Sequence, residues 1–232
     1  MLVHGFGVSS RYMLPLAREL APAHSVHVLD LPGHGQSEMP RARLSISSLS
    51  DALEEWLDAV GLERPAFVAN SMGCQVVTDL AVREPGRVGA MVLIGPTVDP
   101  RRRSARHQLL SVLRDMGREP VDLIALTAGD QVGVGIPTLL AMGRSALSDP
   151  IEERLPLIEQ PTTIVQGSID GFSGDEWVRD VVRLLPHGRL VVVGGEAHAV
   201  HYTRPRLVAQ IVREAVADEL AEDLDDRCRR AG

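Results

Sequence analysis

Lysine is absent from this 232-residue chain, and all 24 of its basic residues are arginine. The chain therefore cannot form a lysine Schiff base, which excludes pyridoxal-phosphate enzymes, and it lacks the phosphate-binding lysine of a P-loop. Cysteine is scarce as well, because Cys74 and Cys228 are the only two, and this excludes a disulfide framework. Aromatic residues make up 3% of the chain, too few to favour an aromatic cage for a quaternary ammonium ligand.

Long apolar runs are also missing. No stretch approaches the roughly 18 consecutive apolar residues of a membrane helix, and no secretory signal is visible. We therefore expect a cytoplasmic protein that does not bind a membrane. The formal net charge of −7 argues against a nucleic-acid partner, because such proteins carry a basic surface.

Short apolar segments alternate with amphipathic ones along the chain. The segments that are rich in valine and isoleucine, as in buried parallel strands, are 25–29, 66–69, 88–94, 162–166 and 189–193. Helical periodicity covers residues 48–60, 72–84, 175–185 and 205–220. This alternation predicts an α/β fold with a parallel sheet and helices on both faces.

Residues 97–160 interrupt the alternation, because they are helix-like and contain no convincing strand. We interpret them as a helical cap inserted between two strands of one core domain. That core consists of residues 1–96 and 161–232.

A serine lies at a predicted strand–turn–helix junction within residues 66–74. Ser71 has small residues two positions away on each side, Ala69 and Gly73, as a sharp turn between a strand and a helix requires. Such a turn lifts the serine hydroxyl above the sheet. The alternative is a serine that only caps the following helix.

Two polar residues follow predicted strands further along the chain. Asp170 comes just after the segment 162–166, and His198 comes just after the segment 189–193. Ligands of open parallel sheets bind at the carboxyl ends of the strands. A serine nucleophile needs a base and an orienting carboxylate, so Ser71, Asp170 and His198 are candidates for a catalytic triad.

Five sequence elements occur in an order typical of one superfamily: His4-Gly5-Phe6-Gly7, Asp30-Leu31-Pro32-Gly33-His34-Gly35-Gln36-Ser37, Asn70-Ser71-Met72-Gly73, Gly167-x-x-Asp170 and Gly195-x-x-His198. On these elements the chain resembles the serine-nucleophile enzymes of the α/β-hydrolase superfamily over nearly its whole length. The resemblance implies the α/β-hydrolase fold, with a mostly parallel sheet and a helical cap insertion.

The resemblance also implies a role for each candidate residue. Ser71 would attack an acyl carbon, His198 would accept and return its proton, and Asp170 would orient the imidazole. The backbone N–H groups of Phe6 and Met72 would form the oxyanion hole, in which one donor is typically worth about 3 kcal/mol. No metal or organic cofactor is implied.

Two of these assignments have competitors in the sequence. Asp99 follows another predicted strand and Asp175 is close by, but the Gly-x-x-Asp spacing favours Asp170 as the acid. His198 and His201 are three residues apart, which could indicate a metal site. No third ligand at a suitable spacing is evident, so we expect no metal.

The most specific function that these residues support is a carboxylesterase-like serine hydrolase acting on a small ester or a related acyl compound through an acyl-enzyme. The alternatives are a hydrolase of carbon–carbon bonds in ring-fission products, a cofactor-free haloperoxidase-like enzyme and a small-molecule receptor without turnover. The carbon–carbon bond hydrolases usually have tryptophan after the histidine, where this chain has Ala199. The expected partner is a small-molecule substrate, and the oligomeric state stays open.

The family normally has two strands before the oxyanion loop, which corresponds here to His4-Gly5-Phe6-Gly7. In this chain only three residues precede His4. We therefore expect a chain that lacks the first two strands of the family. The alternative is a smaller sheet that a partner stabilises.

Overall fold

The computed structural model describes residues 1–40 and 44–231, except for the side chains of residues 113, 116, 222, 223 and 225–231. Its centre is a sheet of five parallel strands in the order β1-β2-β3-β4-β5. The strands are β1 Leu2–Val3, β2 Phe67–Asn70, β3 Met91–Ile94, β4 Thr162–Gly167 and β5 Gly188–Val193. Parallel neighbours need a crossover connection, and helices provide it.

The α-helices among the described residues are α1 Leu14–Leu20, α2 Ile46–Val60, α3 Met72–Arg83, α4 Ala105–Met116, α5 Val121–Val134, α6 Ile136–Ser148, α7 Ile151–Arg154, α8 Asp175–Leu184, α9 Val200–Thr203 and α10 Pro205–Ala231. Successive strand residues point to opposite faces of the sheet. Ala69 and Leu93 belong to the core that contains α2, α3 and α8, whereas Val68 and Val92 belong to the core that contains α1 and α10. The prediction of helices on both faces of a parallel sheet is confirmed.

Four of the predicted strands are present with small differences in their bounds. The predicted strand at 25–29 is wrong, because in this segment only Val28 forms an isolated bridge, with Leu2. Strand β1 has two residues, so it offers a partner strand little length to pair with. Strand β3 begins at Met91 and not at residue 88, because the N–H of Ala90 donates to the Glu219 carboxylate at 2.8 Å.

The helix boundaries have local causes. Helix α2 starts before residue 48 because Ser45 and Ser48 form a reciprocal capping box, and it ends at Gly61 in a left-handed conformation with φ of 69°. Helix α10 continues past residue 220, where the sequence predicts its end, to Ala231.

Between β3 and β4 the described residues form α4, α5, α6 and α7 and contain no strand. Because β3 and β4 pair directly, this insertion leaves the sheet intact. Within the described ranges, no single helix is long and apolar enough to cross a membrane. Helices α5 and α6 meet that criterion only when they are taken together, and they are bent by 102° at their junction.

Candidate active site

Ser71 lies at the turn between β2 and α3 in an unusual backbone conformation, with φ of 55° and ψ of −121°. Of the residues that the structure describes, it is the one non-glycine residue with positive φ. Such a conformation costs about 1–3 kcal/mol and persists only where the surrounding structure imposes it. The Ser71 side chain makes no capping hydrogen bond to α3, so the geometry does not support the helix-cap alternative.

The small residues around this turn are required by the segment that follows β1. A Cβ atom at Gly73 would lie 2.6 Å from the carbonyl oxygen of His4 and 2.8 Å from that of Val3. A Cβ atom at Gly5 would lie 3.1 Å from the Cβ atom of Ser71. The loop after β1 therefore passes directly against the serine turn, as the predicted role of this loop requires.

Asp170 and His198, which are far apart in the sequence, form a hydrogen-bonded pair. Nδ1 of His198 lies 2.9 Å from Oδ2 of Asp170, whose side chain is fully buried. The other carboxylate oxygen of Asp170 accepts from the N–H groups of Phe172 at 2.7 Å and Ser173 at 3.0 Å. These bonds fix the plane of the carboxylate and therefore the orientation of the imidazole.

The competing carboxylates are engaged elsewhere. Oδ1 of Asp99 accepts from the N–H and the guanidinium of Arg101. Oδ1 of Asp175 accepts from Nε2 of Gln166 at 3.1 Å. Of these three carboxylates, Asp170 accepts the hydrogen bond from Nδ1 of His198.

The environment of His198 defines its protonation. Burial alone would lower its pKa, but the charge of Asp170 and the hydrogen bond to it outweigh burial and raise the pKa, with contributions from Asp115 and Glu119. Because Nδ1 donates to Asp170, Nε2 of neutral His198 is an acceptor. This atom is enclosed and makes no hydrogen bond to the described residues, so the Ser71–His198 bond is not closed in this structure. Catalytic hydrogen bonds are often long before substrate binds.

Asn70 and Gly95 join the serine turn to the histidine. The sequence analysis includes Asn70 in the serine element without a role of its own, and it does not identify Gly95. Nδ2 of buried Asn70 donates to the carbonyl oxygens of Ile94 at 3.1 Å and His198 at 3.5 Å. Gly95 has φ of 54°, and a Cβ atom there would lie 2.8 Å from Nδ1 of His198. The available signal was the position of each residue, since Asn70 precedes the nucleophile and Gly95 directly follows a predicted strand.

The two predicted oxyanion donors lie on the facing segments of this site. Phe6 is in the loop after β1, and Met72 is the first residue of α3, where backbone N–H groups lack helical partners. The loop is held by His4, whose Nε2 accepts from the N–H of Leu31 at 3.0 Å and whose Nδ1 contacts the Gly5 carbonyl oxygen at 2.9 Å. Burial, with a contribution from His34, lowers the pKa of His4 to about 4, so His4 is neutral near pH 7.

One group of candidate metal ligands occurs in the described part of the chain. Ligand atoms of Asp115, Asp170 and His198 lie within 4.8 Å of one another. Both carboxylate oxygens of Asp170 already accept hydrogen bonds, so the group fits an acid–histidine pair better than a metal site. His201 does not join this group. It is fully buried, and its ring meets the ring of Tyr12 edge-on at 4.4 Å between centroids.

Solved structures share this fold. A thermophilic esterase from Thermogutta terrifontis superposes with a TM-score of 0.80 over 94% of this chain and 88% of that chain, at 21% sequence identity.

Curated relatives match over different lengths. A protein from Acinetobacter baylyi named (E)-2-((N-methylformamido)methylene)succinate hydrolase is 23% identical over 92% of this chain and 88% of its own length. The dihydrolipoyllysine-residue acetyltransferase component of the acetoin cleaving system of Cupriavidus necator is 36% identical over 96 residues. This chain covers 26% of the length of that acetyltransferase component.

The family assignment comes from a sequence profile described as alpha/beta hydrolase fold, which matches residues 1–135. This range is more than half of the chain, and it contains the loop after β1 and the serine turn. The order of the strands and the relatives with hydrolase activity agree with it. The chain therefore belongs to the alpha/beta hydrolase fold family.

Proposed function

We propose that this chain is a serine hydrolase that cleaves a small ester or a related acyl compound through an acyl-enzyme. The observation that carries the proposal is the 2.9 Å hydrogen bond between His198 and buried Asp170, together with the bond from Asn70, the residue before the strained Ser71, to the carbonyl oxygen of His198. The similarity to an esterase structure supports the choice of an ester as substrate.

In the proposed mechanism, the Ser71 hydroxyl attacks the acyl carbon while Nε2 of His198 accepts its proton. Asp170 stabilises the imidazolium that forms. The N–H groups of Phe6 and Met72 donate to the developing oxyanion. His198 then returns the proton to the leaving group, and a water molecule hydrolyses the acyl-enzyme by the same steps in reverse order.

We assign the pocket to the cap helices within residues 97–160. A Cβ atom at Gly7 in the oxyanion loop would lie 3.0 Å from the Leu139 side chain and 3.2 Å from the Gln131 side chain. A Cβ atom at Gly143 would lie 3.8 Å from the ring of Phe6. Side chains of α5 and α6 therefore pack against the oxyanion loop, where the acyl group would bind.

Ala199 gives no support to the carbon–carbon bond alternative. Where those hydrolases usually have tryptophan, this small residue is buried, and its N–H donates to Glu119 at 3.0 Å.

Turnover of p-nitrophenyl esters of increasing acyl length tests the proposal. We expect steady multiple turnover that falls by about 10³-fold or more in Ser71→Ala and His198→Ala. The matched control is Ser148→Ala, because Ser148 is an exposed serine at the end of α6. A single burst without further turnover would indicate a receptor, and cleavage of a ring-fission product but no ester would indicate the carbon–carbon bond hydrolase.

A further inference from the structure

Residues 115–119 form a turn that begins in the last residues of α4 and ends before α5, and this turn contacts both loops that carry the acid and the histidine. Oδ1 of Asp115 accepts from the N–H of Gly171 at 2.9 Å, and Arg118 donates to the carbonyl oxygen of Ile169 at 2.6 Å. The third contact is the hydrogen bond from the N–H of Ala199 to Glu119 at 3.0 Å. Residues 169 and 171 flank Asp170, and residue 199 follows His198.

The turn presents these three side chains in a fixed arrangement. The carbonyl oxygen of Asp115 accepts from the N–H of Arg118 at 2.8 Å and from the N–H of Glu119 at 3.1 Å. These two hydrogen bonds fix the backbone of the turn. The side chains that contact the Asp170 loop and the His198 loop therefore keep fixed positions relative to each other.

Asp115 and Glu119 occupy these positions at an energetic cost. Each uses one carboxylate oxygen to hold a loop, while its other oxygen is enclosed and makes no hydrogen bond to the described residues. Burial raises the pKa of both carboxyls, and the nearby charge of Asp170 adds to this effect. Carboxylates that cost stability beside a catalytic pair are typical of functional positions.

We propose that Asp115, Arg118 and Glu119 are positioning residues that fix the Asp170 loop and the His198 loop relative to each other. The helices inserted between β3 and β4 would then help to hold the catalytic pair in place. This inference rests on the proposed hydrolase function. The two carboxylates also add negative charge next to the imidazole and so favour its protonated form, which arises during acyl transfer.

Among the described residues, the charges of Asp170, Asp115 and Glu119 raise the pKa of His198, and the charge of Arg118 acts on Asp115. His198 acts in turn on His201, and the three carboxylates act on Tyr12. Removal of a negative charge at position 115 or 119 leaves Asp170 as the main group that raises the pKa of His198. That pKa should then fall.

The test compares Asp115→Asn, Asp115→Ala and Glu119→Gln with wild type. For Asp115→Ala we expect kcat on p-nitrophenyl acetate to fall about 10- to 100-fold with little change in KM, because the loop loses its anchor. Asp115→Asn keeps an oxygen that can accept from Gly171, so it should recover part of kcat. In all three variants the acid limb of the kcat/KM profile should move to lower pH.

The matched control is Asp122→Asn. Asp122 lies on α5 and accepts from the hydroxyl of Tyr202 in α9 at 2.9 Å, a surface contact that does not involve the residues on either side of Asp170 or His198. We expect wild-type kcat and an unmoved pH profile for this variant.

NMR titration of the His198 imidazole separates this inference from the proposed function, because it does not need turnover. A wild type that hydrolyses no ester refutes the proposed function, and a lowered His198 pKa in the variants would still support positioning. An unchanged His198 pKa and unchanged kcat in Asp115→Ala and Glu119→Gln would overturn the inference. A fall in kcat together with a lower Tm and an unmoved pKa would also overturn it, because it would indicate a merely structural role.

Discussion

The imidazole of His198 rests against the backbone of Gly95, and a Cβ atom at that glycine would lie 2.8 Å from both Cε1 and Nδ1 of the ring. The same Cβ atom would lie 3.0 Å from Oδ2 of Asp170. Gly95 also has φ of 54°, a conformation that side chains disfavour. The carboxyl end of β3 therefore forms one wall of the acid–histidine pair.

Gly95→Ala should separate Asp170 from His198. We expect kcat/KM to fall about 100-fold, since a displacement of about 1 Å at a catalytic group can cost that much. Ester hydrolysis is the measurement. Gly194→Ala is the control, because a Cβ atom at Gly194 would meet no atom within 4 Å beyond its chain neighbours, and this glycine has no positive φ. Equal activity of the two variants would show that the contact with Gly95 does not hold the imidazole.

Asn70→Ala should weaken the link between the serine turn and the histidine loop. The carbonyl oxygen of His198 loses its donor, which costs about 1–3 kcal/mol for a buried group, whereas that of Ile94 keeps the N–H of Ser71 at 3.0 Å. We expect a lower free energy of unfolding in urea and a lower kcat. Retention of wild-type kcat with reduced stability would show that Asn70 supports the fold but does not position His198.

His201→Phe should stabilise the protein most at acid pH. Burial lowers the pKa of His201 from 6.5 to about 3, so the unfolded chain binds this proton at a higher pH than the folded chain does. Folded-state stability is therefore lost as pH falls below 6.5, by about 2 kcal/mol at pH 5. Phenylalanine keeps the ring contact with Tyr12 and removes the titration.

Urea unfolding of wild type and His201→Phe at pH 5 and pH 8 measures this effect. The gain in unfolding free energy should be about 2 kcal/mol larger at pH 5 than at pH 8. The same gain at both values of pH would mean that burial of His201 does not lower its pKa.

Chelation should leave activity unchanged. Asp115, Asp170 and His198 are close enough to bind an ion, but the oxygens of Asp170 are committed to His198 and to two backbone N–H groups. We expect the same rate of ester hydrolysis before and after dialysis against EDTA. A loss of rate that a divalent metal restores would contradict the assignment of these residues to an acid–histidine pair.

The parts of the site that local sequence specifies could be predicted. Ser71 lies at a strand–turn–helix junction, and Asp170 and His198 each follow a strand, so all three reach the same end of a parallel sheet. The strand predicted at 25–29 failed because pairing depends on a partner, and β1 has only two residues. Apolar composition alone does not supply that information.

The remainder of the site depends on contacts between distant segments. Asn70 meets His198 across 128 positions, and Glu119 meets Ala199 across 80. Nothing in the local pattern around Asp115 or Glu119 distinguishes them from the solvated carboxylates of an amphipathic helix. The contact between Gly95 and His198 could not be predicted for the same reason. A glycine after a strand indicates a turn but does not indicate which ring will pack against it.

The most direct test of the central claim is the intact mass of the protein after reaction with a fluorophosphonate probe, with Ser71→Ala measured in parallel. Activation of Ser71 by His198 predicts one phosphonyl adduct on wild type and none on Ser71→Ala. An adduct on both proteins would place the reactive nucleophile elsewhere. No adduct on a wild-type chain that melts cooperatively would contradict an activated serine at this turn.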